Sequence, residues 1–166
     1  MKIDIIAGAR PNFIKIAPVI EAINKKKNKI SFRLIHTGQH YDKNMSGNFF
    51  DELGIPMPDI NFNAGGGTQS EQTSKIMIKY ESLLMQNLPD LCMVFGDVTS
   101  TMACSIVAKK FNIKVAHIEA GIRSFDLSMP EEINRMVTDS ITDYFFTTSE
   151  YANINLKNLG IKNDKI

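Results

Sequence analysis

Short apolar runs alternate with longer amphipathic segments along this chain, and this alternation limits the folds that it can adopt. Continuous apolar runs bounded by turn residues are typical of strands that are buried on both faces of a sheet. Five such runs occur, at 2–6, 32–36, 91–95, 115–118 and 144–147. The segments between them carry apolar residues at helical spacing, most clearly at 16–23, 102–107 and 133–141.

This order of strands and helices predicts an α/β fold, a doubly wound parallel sheet with helices on both faces. The chain has 166 residues, which is the size of one domain. In such a sheet, ligands bind beyond the carboxyl ends of the strands, where the strand order reverses. We therefore expect the functional residues to lie in the turns that follow the apolar runs.

The composition argues against several classes of protein. The formal net charge is +1, which gives no broad attraction to nucleic acid or to an anionic membrane. No apolar run approaches the roughly 20 residues that a membrane-spanning helix needs, and a charge interrupts the apolar amino terminus, unlike in a secretory signal. We expect a cytoplasmic protein in which Cys92 and Cys104 are buried, reduced thiols.

Polar residues concentrate in four turns after apolar runs, at 8–12, 37–41, 96–100 and 119–123. Three of the four arginines, Arg10, Arg123 and Arg135, lie in or beside turns flanked by glycine or proline, which indicates a locally held anion. The fingerprint of three spaced glycines is missing after the first apolar run, as is a phosphate loop ending in Gly-Lys-Ser/Thr. Nicotinamide, flavin and P-loop ATP chemistry are therefore disfavoured.

Three of the turn residues allow a structural interpretation beside the functional one. Lys15, in the first turn of a predicted helix, opposes the helix dipole unless a carboxylate or phosphate pairs with it; otherwise it is a solvated surface lysine. Asp97 either caps the next helix or points into the crevice as an acid or base. Glu119 directly follows a buried strand, where apolar neighbours partly desolvate a carboxylate and suit it to acid–base chemistry; otherwise it is a purely structural glutamate.

The segment Pro130-Glu-Glu-Ile-Asn-Arg135 predicts the start of a helix with two acids at its positive end. Glu131 lies four residues before Arg135, so a surface salt bridge between them would explain the pair without any catalytic role. The histidines have no acidic or cysteine partner at ligand spacing, and a site without metal is expected. The backbone amides of the turn Gly8-Ala-Arg-Pro-Asn12 are expected to bind an anion.

Five motifs resemble, in order and spacing, the non-hydrolysing UDP-N-acetylglucosamine 2-epimerase family. They are Gly8-Ala-Arg-Pro-Asn-Phe-Ile-Lys15, Thr37-Gly-Gln-His40, Phe95-Gly-Asp97, His117-Ile-Glu-Ala-Gly-Ile-Arg-Ser124 and Pro130-Glu-Glu-Ile-Asn-Arg135. The resemblance spans nearly the whole chain. It implies one half of a GT-B fold, which pairs two Rossmann-like domains: 1–166 is the amino-terminal domain, and the carboxyl-terminal UDP-binding domain is absent from this chain.

The resemblance also implies an isomerase that interconverts UDP-N-acetylglucosamine and UDP-N-acetylmannosamine, in a family that serves polysaccharide biosynthesis. Family members eliminate UDP in the anti sense to form 2-acetamidoglucal and add UDP back with inversion at C2, and no cofactor is implied. Position by position, the family's catalytic carboxylates fall on Asp97, Glu119 and Glu131. The cations expected to bind substrate are Arg10, Lys15, Arg135 and Arg123.

Two departures from the family pattern bear on substrate and regulation. The loop 124–129 is shorter than in the best-known bacterial members and resembles branches that act on other UDP-sugars. Gln39 and His40 match the bacterial allosteric turn or line the cleft, but the arginine expected just before Gln69 is absent. The alternatives are a hydrolysing 2-epimerase, an epimerase for another UDP-sugar, or a non-catalytic sugar-nucleotide-binding module. We expect a homodimer, and a domain that is inactive alone.

Overall fold

A single parallel sheet organises the computed structural model, which describes residues 1–26, 29–38 and 47–166. Within these ranges the strands are β1 (Lys2–Ala7), β2 (Ser31–His36), β3 (Ile60–Asn61), β4 (Leu91–Phe95), β5 (Lys114–Ile118) and β6 (Tyr144–Phe146). Their spatial order is β3-β2-β1-β4-β5-β6. The direction of winding reverses between β1 and β4, which is the switch point of a doubly wound sheet. The predicted fold class is confirmed.

Helices connect the strands and cover the sheet. They are α1 (Arg10–Lys25), α2 (Gly47–Leu53), α3 (Gln69–Gln86), α4 (Thr99–Lys110), α5 (Pro130–Ile141) and α6 (Glu150–Asn158), followed by a short 3-10 turn (Asn163–Lys165). One core cluster joins Phe13 and Ile20 of α1 and Phe50 of α2 to the sheet. A second cluster joins Tyr80 of α3 and Val107 of α4 to it. Because the two clusters use different helices, the sheet is buried between two layers.

An ion pair lies within the sheet. Asp4 on β1 is fully buried and accepts hydrogen bonds from Nε and Nη2 of Arg33 on β2, both at 2.7 Å. Tyr80 Oη of α3 donates to the same carboxylate at 3.2 Å, and Arg33 Nη2 also donates to the Asn87 carbonyl at 3.0 Å. These bonds fasten two central strands to α3.

The cysteines are buried and unlinked, as predicted. Burial raises the pKa of the Cys92 thiol to about 12, and it raises the pKa of Cys104 well above its usual range as well. Neither thiol therefore forms the reactive thiolate near neutral pH. In the described ranges, no helix has both the length and the apolar character to cross a membrane.

Candidate active site

The turn between β4 and α4 presents Asp97 at the carboxyl edge of the sheet. Gly96 adopts a left-handed backbone with φ of 65°, and α4 begins at Thr99 with Val98 at the N-cap position. Asp97 therefore lies before the cap, and the capping interpretation of this residue is wrong. Its side chain is 35% exposed, and its carboxylate forms an ion pair with Nη1 of Arg135.

Arg135 and its neighbour fasten the first turns of α5 to this β4–α4 turn. Arg135 is 8% exposed and donates from Nε to Glu132 Oε2 at 3.1 Å as well as to Asp97. Asn134 Nδ2 donates to the Asp97 carbonyl at 2.8 Å. The structural alternative for this segment, a salt bridge between Glu131 and Arg135, is thus wrong, because the guanidinium binds the carboxylates of Glu132 and Asp97.

Glu132 is a structural acid that our sequence analysis did not single out. It is 1% exposed and accepts from Ser124 N at 2.9 Å, Ser124 Oγ at 3.1 Å and Phe125 N at 3.3 Å. Burial alone raises the pKa of Glu132, but the hydrogen bonds from Ser124, Arg135 and Phe125 outweigh it, so the pKa lies below its usual range. This ionised carboxylate fixes the start of the loop 124–129 to α5.

Glu119 is held in a strained backbone conformation at the end of β5. Its φ is 70°, a region that non-glycine residues rarely adopt and that often marks a functional site. Its Oε2 lies 2.5 Å from Lys15 Nζ, and the two side chains are 24% and 37% exposed. Lys15 lies in the second turn of α1, not the first, because that helix begins at Arg10. Of the two interpretations of Lys15, the structure shows the one with an anionic partner, and that partner is a carboxylate.

Gly96 shows that the two ion pairs are neighbours. A Cβ built on Gly96 would lie 3.4 Å from Glu119 Oε2 and 3.6 Å from Lys15 Nζ. Asp97, the next residue, carries the second pair with Arg135. The side chains of α1, the end of β4, the end of β5 and the start of α5 therefore converge around one turn.

Asn12 organises the turn between β1 and α1. Its Oδ1 accepts from the amides of Gly8 and Ala9, both at 2.9 Å, and its Nδ2 donates to the Phe95 carbonyl at 3.2 Å. The prediction that the amides of this turn cradle an anion is therefore wrong for these two, because a side chain already occupies them. The exposed Arg10 begins α1, and its guanidinium lies 4.7 Å from the centre of the Phe49 ring.

Arg123 lies in a buried polar network with Asp139 and His117. Its side chain is 6% exposed, and Nη1 lies 2.7 Å from Asp139 Oδ2. Asp139 Oδ1 also lies 2.7 Å from His117 Nδ1. Among the described residues, Arg123 Nη2 has no hydrogen-bond partner. The role of Arg123 in substrate binding stays a prediction.

Glu131 is the least constrained of the three predicted catalytic acids. It is partly exposed in the first turn of α5, and its carboxylate makes no hydrogen bond or ion pair within the described ranges. It lies one helical turn before Arg135, on the same side of the helix. Gln39 and His40 lie outside the described residues. Over the described ranges, His, Cys, Asp and Glu form no group of three that could hold a metal ion.

Comparison with known proteins connects this arrangement to one family. The model of the UDP-N-acetylglucosamine 2-epimerase family matches residues 22–166. A UDP-N-acetylglucosamine 2-epimerase homolog from Methanococcus maripaludis is 53% identical over 97% of this chain. The UDP-2,3-diacetamido-2,3-dideoxy-D-glucuronate 2-epimerase of Pseudomonas aeruginosa is 44% identical over 98% of it.

A solved structure extends the comparison to the fold. The UDP-GlcNAc 2-epimerase of Methanocaldococcus jannaschii, crystallised with UDP-GlcNAc and UDP, is 48% identical and matches all of this chain with a TM-score of 0.94. This match confirms the prediction of a Rossmann-like half of a GT-B fold. The chain covers 44% and 46% of the two relatives' lengths and 45% of the solved chain. It spans about half of each, and it belongs to the UDP-N-acetylglucosamine 2-epimerase family.

Proposed function

We propose that this chain is the amino-terminal domain of a UDP-N-acetylglucosamine 2-epimerase, an isomerase that produces UDP-N-acetylmannosamine. The observation that carries the proposal is the convergence of two ion pairs, Lys15 with Glu119 and Arg135 with Asp97, around the Gly96 turn. Acids and cations at one turn suit a reaction that moves a proton and releases a diphosphate. Family membership and the match to a structure with bound UDP-GlcNAc support the substrate.

The proposed reaction begins with an anti elimination. A carboxylate removes the proton from C2, the C2–H electrons form the C1–C2 double bond, and UDP leaves C1 with the electrons of the C–O bond. Return of a proton to the opposite face of C2 and of UDP to C1 completes the epimerisation. Proton removal and return on opposite faces require at least two positioned acid–base groups.

We assign different proton-transfer roles to the acids according to their partners. Glu119 and Asp97 are each held in place by a cation, Lys15 and Arg135 respectively, and we assign these two acids to proton removal and return at C2. Glu131 has no such cation within the described residues, and we assign it as the general acid. Together the three form the proposed catalytic set.

The diphosphate is the proposed ligand of the cations. Arg10 is exposed at the amino end of α1, where the helix dipole also favours an anion. Lys15, Arg135 and Arg123 complete the proposed set, and Gln39 and His40 are proposed to line the cleft. We propose that the carboxyl-terminal domain binds most of the UDP and closes the site, so that residues 1–166 alone do not turn over substrate.

Proton exchange at C2 tests the proposal. In a protein that joins this chain to its carboxyl-terminal domain, UDP-N-acetylglucosamine should incorporate deuterium at C2 from deuterated water. Asp97→Asn, Glu119→Gln and Glu131→Gln should each slow the exchange at least 100-fold, which is the usual contribution of a positioned acid or base. Glu52→Gln, on the exposed surface of α2, is the matched control. Wild-type exchange in all three variants contradicts the assignment.

A second candidate is an epimerase for another UDP-sugar. The relative named for the diacetamido-glucuronate is 44% identical, the same identity as a Methanococcus maripaludis protein named for UDP-N-acetylglucosamine. Competing the two UDP-sugars in one reaction and comparing their kcat/KM values separates the candidates. Free N-acetylmannosamine as the main product would instead indicate a hydrolysing enzyme, and tight binding without exchange would indicate a binding module.

We further propose a cytoplasmic homodimer. Ile78 and Met85 on α3 are 62% and 75% exposed, and exposed apolar side chains on one helix support an association surface. Light scattering should give twice the monomer mass, and Ile78→Glu with Met85→Glu should halve it. A wild-type monomer at micromolar concentration contradicts the dimer.

A further inference from the structure

A buried histidine connects the segments that carry the proposed catalytic acids. His117, in β5, is fully buried. Its Nδ1 lies 2.7 Å from Asp139 Oδ1, and its Nε2 lies 2.8 Å from the Gly96 carbonyl oxygen. Both ring nitrogens therefore form hydrogen bonds within the protein, and neither is left to contact a substrate.

The partners of this ring determine its protonation. A carbonyl oxygen only accepts hydrogen bonds, so Nε2 must carry a hydrogen to bond to Gly96. Asp139 forms an ion pair with Arg123 and accepts from the Gly121 amide, and both contacts stabilise an ionised carboxylate. An ionised carboxylate only accepts hydrogen bonds, so Nδ1 must carry a hydrogen too. The bonds together require an imidazolium.

Asp139 extends the connection to the turn after β5. Its Oδ2 accepts from the Gly121 amide at 3.1 Å and lies 2.7 Å from Arg123 Nη1. Gly121 follows Glu119 by two residues, and Gly96 directly precedes Asp97. The network thus joins the β4 turn and the β5 turn to α5, which also carries Glu131.

We propose that His117, as a doubly protonated imidazolium held by Asp139, is a positioning residue that sets the Asp97 turn against Glu119. A neutral ring carries only one N–H, so it would direct a lone pair at either the Gly96 carbonyl or the Asp139 carboxylate and lose one of the two bonds. The protonation state stands on the geometry alone, whereas the catalytic consequence rests on the proposed epimerase function.

Nitrogen NMR of the ring tests the protonation state on this chain itself, without any activity. In the wild-type chain, both ring nitrogens of His117 should carry slowly exchanging hydrogens at pH 7. Asp139→Asn removes the charge that holds the second hydrogen and should leave one. A single ring hydrogen in the wild-type chain overturns the proposal.

Steady-state kinetics of the protein completed by its carboxyl-terminal domain test the positioning role. His117→Gln can donate to Gly96 or to Asp139 but not to both in the ring's geometry. We expect kcat per folded molecule to fall at least tenfold while KM for the UDP-sugar changes less than threefold. A purely structural role would lower the folded fraction and leave kcat per folded molecule unchanged, and that result overturns the positioning role.

A control variant and a further comparison separate the possible failures. Thr138→Val changes a buried side chain beside Asp139 whose Oγ1 has no partner among the described residues, and it should keep wild-type kcat. If the wild-type protein exchanges no C2 proton while the His117 ring shows two hydrogens, the epimerase function fails, but the protonation state proposed for His117 is supported. If exchange is normal and His117→Gln keeps its kcat, the positioning role fails and the function stands.

Discussion

Gly96 and Gly54 have almost the same left-handed backbone, with φ of 65° and 64°, but different surroundings. A Cβ at Gly96 would enter the space beside Glu119 and Lys15, whereas one at Gly54 meets nothing within 4 Å. Substitution by alanine should cost about 1 kcal/mol of stability at each position, because a side chain strains this backbone.

Only Gly96→Ala should also reduce turnover, by at least tenfold, because its methyl group fills the gap beside the Lys15–Glu119 pair. Urea unfolding measures the stability of both variants, and C2 proton exchange in the protein with its carboxyl-terminal domain measures turnover. Equal exchange rates for Gly96→Ala and Gly54→Ala would show that the space beside this turn is not used by substrate.

His36 should make the stability of the fold depend on pH. Its side chain is 4% exposed, and burial lowers its pKa below the ordinary value of 6.5. The unfolded chain therefore binds a proton more readily, so the stabilising contribution is complete above about pH 6.5 and declines as the pH falls toward the lowered pKa.

The contribution of His36 to the slope of the unfolding free energy against pH cannot exceed about 1.4 kcal/mol per pH unit. Denaturant unfolding between pH 7.5 and 5 should show a smaller decline in His36→Phe than in the wild type. An identical decline in both proteins would assign the acid sensitivity to other groups.

Single residues were predictable where a local pattern defined their need, and not where only the folded chain shows which groups they bind. Lys15 was predicted to have an anionic partner because of its place near a helix start, and Glu119 was predicted to follow a buried strand. The roles of Asn12 and Glu132 could not be foreseen in the same way. Asn12 bonds to Phe95, 83 residues away, and only a folded sheet brings these groups together.

At the scale of elements, the start of α3 offers a test of local capping. Thr68 Oγ1 accepts from the Glu71 amide at 3.2 Å, and Glu71 Oε2 accepts from the Thr68 amide at 2.7 Å. Thr68→Ala should destabilise the chain by about 1 kcal/mol, because it leaves an amide of the first turn without its acceptor. Thr73→Ala, inside the same helix, should change stability little. Urea midpoints compare the two, and equal midpoints would mean that the cap contributes nothing.

The strands were predicted within one residue at most ends, because buried parallel strands are continuous apolar runs. β3 was not predicted, because a strand of two residues is too short to show a pattern. The stripe of α3 was not singled out either. Its buried residues Ile76, Tyr80 and Leu84 recur at a spacing of four, but exposed apolar residues on other faces of the helix, Ile78 and Met85, obscure it.

For the molecule as a whole, the pair of Asp4 and Arg33 should dominate the polar contribution to stability. Arg33→Met leaves the fully buried Asp4 carboxylate without its cation, which should cost about 3–5 kcal/mol. Lys25→Met, which breaks an exposed pair with Glu21, should have no measurable effect. Equilibrium urea unfolding distinguishes them. Adding Asp4→Asn to Arg33→Met should recover part of the loss. A larger loss would show that the unpaired Asp4 carboxylate is not the source of the cost.

The overall architecture was predictable because alternation of strands and helices leaves few topologies for a parallel sheet. The turns after β1, β4 and β5 gather at the carboxyl edge, as expected. Which polar residues hold the turns and which face the crevice was not predictable, because both sets contain the same types of side chain.

The start of the loop 124–129 is fixed, because Glu132 of α5 binds Ser124 and Phe125. Phe125 and Leu127 of this loop are 68% and 66% exposed, so they contribute little to folding. A lineage can therefore lengthen, shorten or rewrite this loop without disturbing the acids beneath it. Sugar preference can change in such a scaffold while the residues of the proposed elimination chemistry stay the same.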